Sequence, residues 1–203
     1  MQISEITAFL ESAYDKLNQH YFNSELPPVV ITVQSTPKAY GHYTPWLAWS
    51  DGNEGYHEIN LGAETLNRGI EQVIATLVHE MTHGYNDLVA HIKDTSRGNG
   101  NGRGTYHNRK FKEQAEKRGL IIEYDPRIGW SVTTPAPDLI AFVQEQGWNN
   151  LDLSRVPLPT ATKKPSNVRK YICPSCGCSV RATKEVHIAC LDCAEPMVVE
   201  DKN

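Results

Sequence analysis

Apolar residues at the start of the chain recur at steps of three and four positions, which is the spacing of one face of an amphipathic α-helix. The members of this stripe are Ile3, Ile6, Leu10, Ala13, Leu17 and Tyr21. A second stripe with the same spacing indicates a buried helix from about Asn67 to Leu88. Its members are Ile70, Val73, Ile74, Leu77, Val78 and Met81. The pattern therefore predicts two long helices with a different kind of segment between them.

The segment between these helices has the features of strands. Pro27 and Pro28 interrupt helical structure, and the β-branched run after them favours a strand at 29–34. The further predicted elements are an extended aromatic segment at 40–50, a turn at 51–55 and the second strand of a hairpin at 56–61. The aromatic side chains could line a substrate cleft or stack on bases, but packing within the core or hairpin is the favoured interpretation. They are Tyr40, Tyr43, Trp46 and Trp49.

Glycine and proline divide the second half of the chain into shorter elements. Glycines interleaved with asparagine predict a mobile loop at 94–104. The elements predicted after it are a helix from Thr105, its N-cap, to Arg118 with Gly119 as its stop, a strand pair at 121–124 and 128–132, and a short helix at 137–147. The segment 155–169, rich in Pro, Thr and Lys, is predicted to link a domain at 1–154 to a smaller one at 170–203.

The composition predicts an intracellular protein of the cytoplasm. Of the 203 residues 39% are hydrophobic, and no apolar run approaches the roughly 18 residues that a membrane span needs. Glu5 and Glu11 lie where a signal peptide would be basic and then apolar, so neither secretion nor a membrane partner is expected. The net charge of -4 argues against a surface that is basic throughout, although residues 160–203 carry seven Lys and Arg against five Asp and Glu.

The sequence His79-Glu80-Met81-Thr82-His83 lies within the second predicted helix. Two histidines four residues apart share one face of a helix, so both imidazoles can bind one Zn²⁺. Glu80 lies beside the metal without being needed as a ligand, and it can serve as the general base for a water molecule that the metal activates. Because the flanking residues are apolar, these polar side chains lie in a core helix, where they cost stability unless something compensates them.

A catalytic zinc normally has three protein ligands, so a third must come from elsewhere in the chain. The metzincin pattern is excluded, because Asn86 and Val89 occupy the positions of its glycine and third histidine. The candidates are His91, His107, Glu113 and Glu116. Either glutamate would give a thermolysin-like arrangement, whereas His107 is followed one turn later by Phe111, which could dock that helix on the core. The spacing alone leaves these alternatives open.

All five cysteines lie between positions 173 and 193, which indicates a local metal site rather than a disulfide framework. Two C-x2-C pairs separated by thirteen residues are typical of a zinc ribbon with four cysteine ligands, a closed structural site. The predicted ligands are Cys173, Cys176, Cys190 and Cys193. Cys178 is left over, and His187 is interpreted as a residue of a short strand at 186–189 rather than as a ligand.

Basic residues near the start of the ribbon could contact the phosphates of a nucleic acid. They are Lys163, Lys164, Arg169 and Lys170. In the alternative interpretation the ribbon only caps the first domain, and these side chains belong to a solvated linker. The sequence is compatible with both interpretations, so a DNA partner is a hypothesis that needs a test.

The order of these features resembles the SprT-like family, which includes the Spartan proteases. The resemblance covers roughly residues 5–195, and its most specific parts are HEMTH at 79–83, HNRKF at 107–111 and the ribbon. It implies an α+β, zincin-like metalloprotease domain, in which a small mixed sheet packs on the HExxH helix, followed by the four-cysteine zinc ribbon. The site residues that it implies are His79, His83 and His107 as zinc ligands and Glu80 as the catalytic residue.

The resemblance also implies a zinc metalloendopeptidase that acts on DNA-associated or DNA-crosslinked proteins, with one catalytic and one structural Zn²⁺. Two other hypotheses are a nucleic-acid-binding adaptor whose zincin domain is weakly active or inactive, and a zinc hydrolase of a small substrate. The intact Glu80 favours an enzyme over an adaptor, because a scaffold needs no base beside the metal. The glycine-rich loop and the ribbon favour a macromolecular substrate.

Overall fold

The computed structural model describes residues 2–36, 38–96, 106–156 and 167–200. The chain divides into two compact units, Met1–Pro157 and Leu158–Asn203. The described part of the first unit is an α+β structure with four α-helices and two small sheets. No helix within these described ranges is long and apolar enough to cross a membrane. The predicted features that lie outside the described residues are Thr105, most of the loop 94–104, the linker interior 157–166, and with it Lys163 and Lys164.

Four helices carry the apolar stripes of the first unit. They are α1 (Ile3–Tyr21), α2 (Ile70–Leu88), α3 (Arg109–Glu116) and α4 (Pro137–Glu145), with a short 3-10 turn at Ala63–Thr65. The prediction that Thr105 caps α3 is wrong, because the side chain of Asn108 accepts hydrogen bonds from the backbone N–H groups of Lys110 and Phe111. Gly119 follows this helix with a φ of 76°, which glycine adopts without strain.

The first sheet is formed by the strands between α1 and α2. They are β1 (Val29–Gln34), β2 (Gly41–Ser50) and β3 (Gly55–Gly62), in the spatial order β1-β3-β2. β2 and β3 form the predicted antiparallel hairpin, and β1 runs parallel to β3. The pairing of β2 with β3 is interrupted after Thr44 and resumes at Trp49. Among the described strands, β3 is the one neighbour of β2, so the other side of β2 is a sheet edge.

Three of the four aromatic side chains of this segment are exposed, so the prediction that they pack within the core or hairpin is wrong for them. Tyr40, Trp46 and Trp49 are exposed by 57%, 66% and 44%. Tyr43, in contrast, is partly buried against the core. The interruption of the β2–β3 pairing removes Trp46 from the regular strand alternation, on which the prediction of hairpin packing depends.

The second sheet joins segments from both sides of the predicted glycine-rich loop. Its strands are β4 (Thr95–Ser96), β5 (Tyr106–His107), β6 (Leu120–Asp125) and β7 (Gly129–Pro135), in the order β4-β5-β7-β6. β6 and β7 form the predicted strand pair. Gly129 pairs with His107 and has a φ of 76°, and a Cβ on it would clash with the carbonyl oxygen of His107. Glycine at this position therefore allows β7 to approach the backbone of His107.

α2 lies at the centre of the hydrophobic core and contacts the other three helices and both sheets. The fully buried apolar side chains of this core include Ile6, Leu10, Leu17, Ile59, Ile74, Leu77, Met81, Phe111 and Leu139. The polar side chains that α2 carries are shielded from water by the same packing. His79 is 8% exposed and Glu80 is 6% exposed. The predicted core helix is thus confirmed, and its histidine motif is buried within it.

The second unit consists of short strands. They are β8 (Arg169–Ile172), β9 (Ser179–Ala182), β10 (Ala189–Cys190), β11 (Glu195–Pro196) and β12 (Val198–Val199), in two sheets of order β12-β8-β9 and β10-β11. The strand predicted at 186–189 is wrong for its first three residues, including His187, which lie before β10. Three described residues of this unit are buried: Tyr171, Cys173 and Cys190. The apolar core of this unit is therefore very small.

Candidate metal centres

His79 and His83 lie one turn apart on α2, and β5 brings His107 beside them. The Nε2 atom of His107 lies 3.2 Å from Nε2 of His79 and 2.9 Å from Nε2 of His83. The buried ring of Phe111 packs against all three imidazoles, with ring centroids 4.5, 4.5 and 4.7 Å apart. Three imidazole nitrogens at these distances can hold one metal ion.

Asp94 fixes the orientation of His83. Its Oδ2 atom accepts hydrogen bonds from Nδ1 of His83 at 2.7 Å and from Nδ2 of Asn86 at 2.9 Å. Burial acts to raise the pKa of Asp94, but the hydrogen bonds from these two side chains, together with the electrostatic effects of His83 and His107, outweigh it and hold the pKa below its ordinary value. Because Asp94 is then ionised and can only accept, Nδ1 of His83 carries a proton, and in the neutral form of the ring Nε2 has the lone pair that a metal ligand needs.

Thr133 has the same role for His79. Its Oγ1 atom lies 2.7 Å from Nδ1 of His79 and 3.0 Å from the carbonyl oxygen of Ser131. A hydroxyl has one proton and a carbonyl oxygen can only accept, so Thr133 donates to Ser131 and accepts from Nδ1–H of His79. Burial and then the neighbouring histidines lower the pKa of His79 well below its ordinary value, which favours the neutral ring. Nε2 of His79 therefore also has a lone pair.

Two lone pairs thus lie within hydrogen-bonding distance of the same atom, Nε2 of His107. A single N–H group at that atom could point at one of them but not satisfy both fully. A cation between the three nitrogens would be bound by all of them at once. The proton positions imposed by Asp94 and Thr133 therefore fit a metal site better than a hydrogen-bonded histidine cluster.

Glu80 lies between the two histidines of α2, next to the edge of the first sheet. Burial raises the pKa of its carboxyl group to about 7, against the opposing effects of His83 and of a hydrogen bond from the backbone of Tyr43. β2 passes close by, since a Cβ on Gly41 would lie 3.2 Å from Cγ of Glu80. A carboxyl group with a pKa near neutrality can both accept and release a proton.

The side chain of Tyr43 connects this part of β2 to α2. Its hydroxyl group donates a hydrogen bond to Oδ2 of Asp87 at 2.9 Å, and Nδ1 of His57 lies 3.2 Å from the same hydroxyl oxygen. The ring lies over Gly84 of α2, where a Cβ would be 3.5 Å from Cε2 of the tyrosine. Burial and the contact with Asp87 raise the pKa of Tyr43, so its hydroxyl stays protonated as a donor.

The other candidates for the third ligand lie away from this cluster. His91 is exposed after the end of α2, with a φ of 52°. Glu113 and Glu116 are exposed on α3. The structure therefore brings His107, and none of these three residues, next to the histidine pair of α2.

The four predicted cysteine ligands converge in the second unit. They are Cys173, Cys176, Cys190 and Cys193, whose sulfur atoms all lie within 4.8 Å of one another. The sulfur atoms of Cys176 and Cys190 are 3.7 Å apart. A hydrogen bond from the backbone of Cys178, followed by hydrogen bonds from the other three cysteines of the group, lowers the pKa of Cys176 to about 6, because these bonds stabilise the thiolate. This group can hold one metal ion with four sulfur ligands.

Cys178 lies beside this group without belonging to it. Its sulfur atom is 3.7 Å from that of Cys190. It is not, however, one of the four sulfur atoms that all lie within 4.8 Å of one another. Its backbone closes the turn of the first cysteine pair, since its carbonyl oxygen accepts from the N–H of Cys173 at 2.9 Å. Cys178 therefore supports the site through its backbone.

Two of the four basic residues assigned to nucleic-acid contacts are described. Arg169 is exposed at the start of β8. Lys170 is partly buried, and its Nζ atom lies 2.7 Å from a carboxylate oxygen of Glu200. Arg169 is therefore the better placed of the two to contact a phosphate.

Asp94 and Thr133 are the site residues that the sequence did not predict. Asp94 follows His83 by 11 positions within the predicted glycine-rich loop, and Thr133 follows His79 by 54 positions. Neither spacing corresponds to a turn of helix or to a strand period, so no local signal identifies them. Their contacts depend on β4 and β7 lying beside His107 in the second sheet.

No protein-family model, curated protein sequence or solved structure matches this chain. The resemblance to the SprT-like family is therefore carried by the motifs of the sequence alone.

Proposed function

We propose that this chain is a zinc-dependent metalloendopeptidase. The observation that carries the proposal is the convergence of three imidazole nitrogens, two of them with defined lone pairs, on the helix that also holds the buried carboxyl group of Glu80. Three protein ligands leave one coordination position for water or substrate, which is the arrangement of catalytic zinc sites. The cysteine group, with four ligands, has the closed arrangement of a structural site.

The distances within both groups fit Zn²⁺. Tetrahedral nitrogen ligands at about 2.0–2.1 Å from zinc are about 3.3 Å apart. The two measured separations between histidine nitrogens are 3.2 and 2.9 Å. Sulfur ligands at about 2.3 Å from zinc are about 3.8 Å apart, and Cys176 and Cys190 are separated by 3.7 Å. We therefore assign one catalytic zinc to the histidines and one structural zinc to the cysteines.

Zinc, when bound, lowers the pKa of a water molecule towards 7 and polarises the carbonyl group of a substrate. The proton transfer falls to Glu80. Its carboxylate accepts a proton from the attacking water and donates it to the amine of the leaving group. The side chain of Glu80 lies against β2, where a Cβ on Gly41 would be 3.2 Å from its Cγ atom. Asp94 and Thr133 keep the two helical imidazoles in the orientation needed for binding.

The position of β2 favours an extended peptide as the substrate. β2 has an open edge among the described strands, and it passes Glu80 at Gly41 and Tyr43. An extended chain can add to such an edge through backbone hydrogen bonds. The hydrogen bond between Tyr43 and Asp87 fixes β2 to α2, so the strand and the base keep a constant separation. We therefore assign β2 as the strand that binds substrate.

The arrangement of the HExxH helix against a small mixed sheet supports a zincin-like interpretation of the first unit. DNA-associated proteins are proposed as substrates because of the resemblance to the SprT-like family and the basic residues near the ribbon, of which Arg169 is exposed. A nucleic-acid-binding adaptor would have no use for a buried glutamate held beside the histidines, because burial of an acid without a role costs stability. The geometry of Glu80 thus favours the peptidase over the adaptor.

The proposal is tested by incubating the purified chain with a basic DNA-binding protein, with and without DNA and with and without a chelator. Cleavage is expected in the presence of zinc, with loss on chelation, recovery on zinc addition and an increase with DNA. Cleavage that persists in chelator, or no cleavage at full zinc occupancy, would contradict the proposal. DNA binding without any cleavage would support the adaptor instead.

A further inference from the structure

An exposed apolar bulge interrupts the β2–β3 hairpin. The ladder is paired up to Thr44 and again from Trp49, so the four residues between them lie opposite His57 alone. Two of these four residues, Trp46 and Leu47, are large and are 66% and 60% exposed. Adjacent large apolar side chains on a surface are typical of sites that bind a partner.

The bulge is held in place within the hairpin. Pro45 restricts the backbone at its start. Leu47 packs over Gly55 of β3, where a Cβ would lie 2.7 Å from Cδ1 of the leucine. The missing side chain at Gly55 thus provides the space that Leu47 occupies. A surface that is ordered before binding loses less conformational entropy when a partner binds.

The bulge continues the strand that passes the proposed catalytic base. Gly41 and Tyr43 of β2 lie beside the side chain of Glu80, and Trp46 follows Tyr43 by three residues. Three residues of extended chain span at most roughly 11 Å between Cα atoms. A peptide that pairs with β2 next to Glu80 would therefore extend past the bulge within three or four of its own residues.

The hairpin that carries the bulge is acidic. Between Lys38 and Arg68 the sequence has no other Lys or Arg and four acids: Asp51, Glu54, Glu58 and Glu64. Hydrogen bonds from the backbone N–H groups of Glu54 and Asn53 lower the pKa of Asp51, so it is ionised in neutral solution. An apolar surface with acidic neighbours complements a segment that is both apolar and cationic.

We propose that the bulge 45–48 is a docking surface for an extended segment of the protein substrate in which Lys or Arg flanks a large apolar side chain. This inference rests on the proposed peptidase function and specifies which segments that site selects. Leu47 contacts the apolar side chain, and the exposed indole of Trp46 offers its face to an apolar group or a cation. Asp51 and Glu54 attract the flanking positive charges.

The test measures binding rather than turnover, with the full-length Glu80→Gln protein and three synthetic peptides of equal length. One peptide has leucine and phenylalanine between lysines, the second has alanine in place of both apolar residues, and the third has glutamate in place of lysine. We expect the first peptide to bind about tenfold more tightly than the alanine peptide, since burial of one such side chain contributes about that much. It should also bind more tightly than the glutamate peptide, whose charges Asp51 and Glu54 repel. Trp46→Ala and Leu47→Ala, each added to Glu80→Gln, should abolish the preference for the apolar peptide.

Ile121→Ala is the matched control, because Ile121 is an exposed apolar residue of β6 in the other sheet, at 44% exposure. It should leave all three affinities unchanged. Equal binding of the three peptides to the parent protein, or an unchanged preference in the Trp46 and Leu47 variants, would overturn the inference. Failure of the wild-type protein to cleave any protein would instead count against the peptidase, because the binding measurement requires no turnover.

Discussion

The two groups that can hold a metal differ in how many buried residues surround them. Two of the three histidines lie on α2, at the centre of a hydrophobic core that contains most of the buried residues among those described, and the third lies on β5. The cysteine group lies in a unit in which three described residues are buried, and two of these are the candidate ligands Cys173 and Cys190. The hydrophobic core around α2 thus holds the histidines in place, whereas the cysteines themselves are most of the buried residues described in the second unit.

This difference assigns different roles to the two metals. In the first unit, Asp94 and Thr133 orient the imidazoles through hydrogen bonds within the protein, so the site is prepared before a metal binds. In the second unit, apolar burial is too small to offset the loss of conformational entropy on folding, and on the proposed assignment the structural zinc contributes the difference. Removal of zinc should therefore abolish function in one unit and structure in the other.

On the proposed assignment of a structural zinc to the cysteine group, the largest expected effect is the unfolding of the second unit when that zinc is lost. Structural zinc contributes about 10–16 kcal/mol in small zinc domains, which exceeds what three buried side chains can replace. Cys173→Ser should therefore abolish the dispersed NMR signals of residues 167–200 and leave those of the first unit unchanged. Cys178→Ser is the matched control and should retain both sets. A folded second unit in Cys173→Ser would show that this unit does not need its metal ligands to fold, against the structural role proposed for the cysteine group.

The next effect concerns His107, whose loss should remove zinc without unfolding the first unit. His107→Ala leaves two protein nitrogens, so zinc affinity should fall by at least about 100-fold, while the thermal unfolding of the apo protein changes little. Glu113→Ala and Glu116→Ala should retain zinc, because both side chains are exposed on α3. Zinc content after dialysis measures all three variants. Zinc retention by His107→Ala together with loss in a glutamate variant would reverse the assignment.

A smaller effect is expected for the residues that orient the ligands. Asp94→Ala removes the acceptor for Nδ1 of His83 and should weaken zinc binding by about 10–100-fold. Thr133→Val keeps the shape of the side chain but removes the acceptor for His79, so its effect should be at the lower end of that range. Competition with a chromophoric chelator measures both affinities. Wild-type affinity in both variants would mean that the core alone orients the ligands.

The sequence predicted the features that depend on local spacing. The apolar stripe of α2 and the interval between His79 and His83 are properties of one helix, and the cysteine pairs are properties of two tight turns. Both appear in the structure where the spacing predicts them. Local periodicity is sufficient in these cases because the groups that must meet lie within a few residues of each other.

The features that the sequence did not predict depend on contacts between distant segments. Asp94 reaches His83 because β4 pairs with β5, and Asn108 donates a backbone hydrogen bond to the carbonyl oxygen of Asp94 at 2.9 Å. Because Tyr106–His107 belong to β5 in this pairing, α3 begins at Arg109 rather than directly after Thr105. Trp46 is exposed, against the prediction, because the bulge in β2 breaks the alternation on which its burial depends. Neither the pairing of β4 with β5 nor the bulge in β2 is encoded in composition or period.

The central claim is that Glu80 is the base of a zinc peptidase, and the substitution Glu80→Gln tests it most directly. Glutamine has nearly the same shape but cannot accept the proton from water, so the rate of peptide hydrolysis should fall by at least about 100-fold. The histidine ligands are unchanged, so the content should be about two zinc ions per chain, the same as the content we expect for the wild-type protein. Near wild-type hydrolysis by a Glu80→Gln protein with full zinc content would contradict the account.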